Sequence, residues 1–131
     1  MARNTAKGRS KSARFFALPH NLIASEKYQG LSGNAVKLLT QLGEQYNGNN
    51  NGDLQASQKV FMQKGWKSPS TLQKALNELL EAGFIVKTRQ GCFPSTCSLY
   101  AFTFQSIDEK PSYKYDASAK ALIGKTLGWW K

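Results

Sequence analysis

The sequence predicts an α+β fold, with helices followed by a β-hairpin, and three observations carry that prediction. Residues 68–90 read as a capped helix, a stop and then a strand. Ahead of them, a short helix and a glycine-containing turn complete a helix-turn-helix arrangement. Residues 99–105, LYAFTFQ, alternate along a strongly aromatic stretch and supply the second strand of an antiparallel hairpin.

Residues 1–14 hold five basic residues, Arg3, Lys7, Arg9, Lys11 and Arg14, with no acid and no apolar period. They read as a flexible basic arm, disordered in free solution. Residues 15–105 read as the folded domain. Phe15 to Ile23 is apolar around Pro19 and is expected to dock on the core as a short strand or turn. His20 is expected to be structural or merely exposed, and Ser25 to Gly30 turn-like.

Ser32 is the expected cap of the first clear helix. Ala35, Leu38, Leu39, Leu42 and Tyr46 face inward at helical spacing, which leaves Lys37, Gln41, Glu44 and Gln45 outward. YNGNNNG, residues 46–52, is a loop by composition, and Asp53 to Ala56 forms one short strand. Ser57 caps a short helix whose Val60 and Phe61 point inward, ending near Lys64-Gly65.

Ser68 caps the next helix, where its hydroxyl can accept a first-turn amide. Pro69 fits the first helical position, where its missing N–H is harmless. Leu72, Ala75, Leu76, Leu79 and Leu80 make the apolar side. Gly83 stops the helix, because glycine accepts the left-handed conformation found past many C-termini. Phe84 to Gln90 is then a strand.

The other side of that helix carries Ser70, Thr71, Gln73, Lys74 and Asn77. Short, amide-bearing and cationic side chains of this kind can reach base edges and phosphates. Glu78 and Glu81 read as its solvated face. Residues 106–131 read as a C-terminal extension, polar to 116 and then partly helical, with Asp116 or Ser118 as cap. Trp129 and Trp130 pack on the domain, form a homodimer contact or stack on exposed bases.

The 131 residues carry 18 basic and 8 acidic side chains, a formal net charge of +10. Such a balance points to a polyanion: DNA, RNA or an anionic membrane surface. The sequence has no apolar run near 18 residues, hence no expected membrane span, and no signal-peptide pattern, so a cytoplasmic protein is expected. Cys92 and Cys97, with one remote histidine, are too few for a zinc site and are expected to stay thiols. No nucleophile–base pair, metal cluster or phosphate loop is evident, and no cofactor or enzymatic activity is expected.

Helix, short strand, helix, helix, strand, strand, with NGDLQAS followed by QKVFMQKGWKSPSTLQKALNELLEAGFIVKTR, resembles a winged helix-turn-helix domain. It is similar to those of bacterial regulators and of phage or plasmid replication proteins. The likeness covers residues 31–105 and implies a three-helix core with a C-terminal hairpin wing. It also implies double-stranded DNA as partner. Lys67, Ser68, Ser70, Thr71, Gln73 and Lys74 then fall on the recognition-helix face, and Lys87, Arg89 and Gln90 on the wing. Departing from the family pattern, the wing tip, 91–98, has no basic residue.

Two functions follow. One is a sequence-preferring duplex-DNA binder in transcription regulation or mobile-element replication and maintenance. The other is a winged-helix protein–protein module with only non-specific nucleic-acid affinity.

Overall fold

Four serines set helix starts. Ser25, Ser32, Ser57 and Ser68 each accept the amide three residues on through Oγ, at 3.2, 3.1, 3.3 and 3.2 Å. Each sits in extended backbone, as an N-cap requires. The computed structural model describes residues 13–92, 97–110 and 113–126. Its elements run α1 (His20–Ile23), α2 (Glu26–Gln29), α3 (Gly33–Gln45), β1 (Leu54–Gln55), α4 (Gln58–Phe61), α5 (Pro69–Ala82), β2 (Ile85–Arg89), β3 (Leu99–Phe102) and α6 (Ala117–Lys120). The fold is α+β, and the expected order from α3 to β3 is observed.

Near the N-terminus, residues 20–23, expected within a short strand or turn, and residues 26–29, expected to be turn-like, are each a single helical turn. A four-residue helix is too short to show a period, so only the Ser25 cap could have signalled one. Phe16 docks as expected. Its ring lies 5.0 Å from Phe102 and edge-on to Tyr46. The site exists because residue 43 is glycine: a Cβ there would overlap the Phe16 ring.

Helices α3 and α5 pack along their apolar faces. Leu38, Leu39 and Leu42 meet Leu72, Leu76 and Leu79, with Phe61, Trp66 and Leu22 completing the cluster. Val60, expected inside, is 37% exposed. One helical turn aims a single large side chain at the core, and Phe61 occupies that direction. Gly83 ends α5 at φ 86°, the left-handed stop read from the sequence.

The sheet is antiparallel with order β1-β3-β2. Ile85 pairs with Phe102, Val86 with Ala101 and Lys87 with Tyr100. The next pair is Arg89 with Leu99, so Thr88 is an extra residue and the register shifts. Such a bulge changes which face the following side chain takes.

All four β3 residues are buried, because both faces of the strand are covered. Tyr100 and Phe102 face the helices. Ala101 faces a second cluster made by Ile107, Tyr113, Tyr115 and Ala119. The segment after residue 106 thus packs on the outer side of the sheet, and α6 lies against β2. Asp116 precedes α6 as expected, but its carboxylate accepts from the Gln90 amide at 2.9 Å instead of capping its own helix.

Asn51 pins these parts together. It is fully buried. Its Nδ2 donates to the carbonyls of Phe102, Gln105 and Ser106 at 3.0, 3.1 and 3.0 Å. Its Oδ1 accepts from the Phe102 amide at 2.7 Å, and its own amide donates to the Asp108 carboxylate. The Tyr115 hydroxyl donates to the Asp108 carbonyl. Burial pushes the Tyr115 hydroxyl well above its ordinary value, and smaller contributions come from Tyr113 and the nearby acids.

Candidate nucleic-acid interface

Helix α5 presents one polar stripe. Ser70, Gln73, Lys74 and Asn77 are exposed, three or four residues apart, while Leu72, Ala75, Leu76 and Leu79 are buried opposite them. The first turn of α5 holds no acid, and Lys67 is exposed just before the cap. The positive end of the helix dipole and this lysine therefore favour an anion at the same end. Gln73 Nε2 donates to Asn77 Oδ1 at 2.9 Å, linking two side chains of the stripe one turn apart.

Ser68 and Thr71 are placed differently from the rest. Both are half-buried, and their hydroxyls lie 2.8 Å apart. Ser68 also accepts the Thr71 amide, so both side chains serve the helix start. Glu78, expected on a solvated face, instead bridges to the cap of α3. Its carboxylate accepts from the Ser32 amide and hydroxyl, both at 2.7 Å. That contact fixes α5 against the N-terminus of α3 and ties up a negative charge beside the stripe.

The turn before α5 is held by α3. Trp66 Nε1 donates to Gln41 Oε1 at 2.6 Å, and Gln41 Nε2 donates to the Lys64 carbonyl at 3.0 Å. Lys37 Nζ donates to the Gly65 carbonyl at 2.9 Å and sits 5.0 Å from the Trp66 ring centre. Lys64 pairs with Glu44 at 2.9 Å. Gln45, also expected outward, exchanges two hydrogen bonds with the Gln55 backbone. The helical period located these positions but could not show what lay opposite them.

On the hairpin, Lys87 and Gln90 are exposed and joined by a 2.8 Å hydrogen bond. Arg89 is elsewhere. Simple alternation puts it on the face of Lys87, but the bulge at Thr88 sends it to the face covered by the C-terminal segment. There it is half-buried, and its guanidinium donates to the carbonyls of Tyr113 and Cys97 at 3.3 and 3.2 Å. Its Nε is buried with no hydrogen-bond partner among the described residues. Cys92 and Cys97 are both exposed.

Arg14 is exposed, 3.4 Å from the Tyr46 carbonyl. Arg3, Lys7, Arg9 and Lys11, the tip residues 93–96 and the Trp129-Trp130 pair lie outside the described residues. One candidate absent from the sequence reading is Lys59, exposed on α4. Its place two residues after the Ser57 cap was the available signal. Among the described residues, no helix is long and apolar enough to cross a membrane.

No protein-family model matches the chain, and no curated protein matches it. A solved structure described as "Structure of Rep-DNA complex" is similar at 19% identity and a TM-score of 0.45, over 85% of this chain and 90% of that one. A likeness that distant leaves the interface to be judged from its own residues.

Proposed function

We propose that this chain is a winged-helix protein of the cytoplasm that docks on double-stranded DNA with sequence preference and performs no chemistry of its own. It would serve transcription regulation or mobile-element replication. Helix α5 enters the major groove, and Lys87 and Gln90 of the β2–β3 hairpin flank it. The observation that carries the reading is the α5 stripe of Ser70, Gln73, Lys74 and Asn77. It is polar and cationic at the end where the dipole is positive, and α3 holds it rigidly. The element order and the sheet order β1-β3-β2 support the winged architecture.

Affinity then comes from lysines and the basic arm, and selectivity from the stripe. The measurement is fluorescence anisotropy with duplex DNA at two salt concentrations, with matched single strands and RNA as competitors. The expected result is duplex-preferring binding that falls steeply with salt. Removing residues 1–12, four cations, should lower the slope of log affinity against log salt by up to about 3.6. Equal binding to every polyanion, or none, would overturn the proposal. Sedimentation of the free protein tests a homodimer through the C-terminal segment.

A further inference from the structure

Resting on the duplex-DNA reading, we propose that Gln73 reads an adenine in the major groove and that Asn77 positions its amide to do so. Gln73 is the fifth residue of α5 and is exposed, in the half of a groove-docked helix that meets base edges. A primary amide has two N–H groups and one carbonyl oxygen. In Gln73 one N–H is engaged by Asn77 Oδ1 at 2.9 Å. Oε1 has no partner among the described residues, and with the N–H anti to it engaged by Asn77, the syn N–H and Oε1 stand side by side as donor and acceptor.

That pair has one complete match among the major-groove edges. Adenine offers an acceptor at N7 and a donor at N6, side by side. Guanine offers two acceptors, cytosine an amino donor, and thymine an acceptor beside a methyl group. Each leaves one half of the glutamine amide unmatched. An unrestrained glutamine would also lose rotamer freedom on binding, and the contact with Asn77 already limits that freedom in the unbound chain. Asn77 is therefore a positioning residue, and Gln73 makes the base contact.

The test uses the full chain. Duplexes are selected from a random pool, and each adenine of the selected site is replaced in turn by 7-deazaadenine, which lacks the N7 acceptor. The wild type should lose about tenfold in affinity at one adenine. Gln73→Ala should bind the unmodified site about tenfold more weakly and lose nothing further at that adenine. Asn77→Ala should show an intermediate loss and keep part of the 7-deaza effect. Thermal melting of each variant checks folding. If Gln73→Ala keeps the full 7-deaza penalty, or no adenine shows one, the Gln73 assignment falls while duplex binding stands. If the wild type binds no duplex, the reading beneath it falls as well.

Discussion

Asn51 shows how much one buried side chain can carry. A buried amide is tolerated only when its donors and acceptors are met, and Asn51 meets the carbonyl of Phe102 at the end of β3 and those of Gln105 and Ser106 beyond it. Asn51→Ala leaves those carbonyls without their donor and should cost about 2–4 kcal/mol in urea unfolding. A loss under about 1 kcal/mol would mean that water substitutes for the amide. In the sequence Asn51 is one of a run of asparagines in a loop, and nothing local marks it as the buried one.

Tyr115 gives a pH prediction at the same scale. Its hydroxyl is neutral when protonated, and burial raises its value above the ordinary 10.0. The unfolded chain therefore releases this proton first. Its contribution to stability is full below pH 10 and is lost as pH rises beyond that value. Burial raises Tyr100 and Tyr46 in the same direction. Denaturation midpoints from pH 8 to 11 should fall above pH 10, and less steeply in Tyr115→Phe. Identical profiles for the two proteins would exclude the Tyr115 hydroxyl as a source.

At the scale of elements, α5 was the most legible part. Ser68, Pro69, the leucine period and Gly83 are local signals, and each acts through backbone geometry within a turn of itself. What α5 leans on was not legible. Glu78 reaches Ser32, 46 positions away in the chain. Glu78→Ala removes two charge-assisted hydrogen bonds and should cost about 1–2 kcal/mol in stability. Measured against Glu81→Ala on the exposed side of the same helix, it separates the bridge from a general charge effect. Equal small losses would reduce Glu78 to surface charge. The hairpin was legible as two strands but not in register. One extra residue at Thr88 turned Arg89 away from the face of Lys87. A bulge leaves no composition signal when the extra residue is an ordinary β-former such as threonine.

At the scale of the whole molecule, the segment after residue 106 is half of the sheet's environment. Ile107 is 2% exposed, lies with Tyr113 and Tyr115 against Ala101, and bridges to Ile123. Ile107→Ala should destabilise the protein by about 2–4 kcal/mol, read as a shifted urea midpoint in a single transition. Loss of the C-terminal tyrosine environment at a lower denaturant concentration than the helices would instead mean that this cover unfolds by itself.

The sequence alone determined the starts and stops of α3 and α5, the apolar faces they share, the order of elements from α3 to β3 and the basic balance. Those properties depend on neighbours within a few residues or on composition. Tertiary structure alone decided which polar side chains stay outside. Gln73, Lys74 and Asn77 remain exposed, while Lys37, Gln41, Glu78 and Arg89 bind partners brought near by folding. Period shows that a side chain points away from its own helix or strand. Only packing shows whether solvent or another part of the chain is there to meet it.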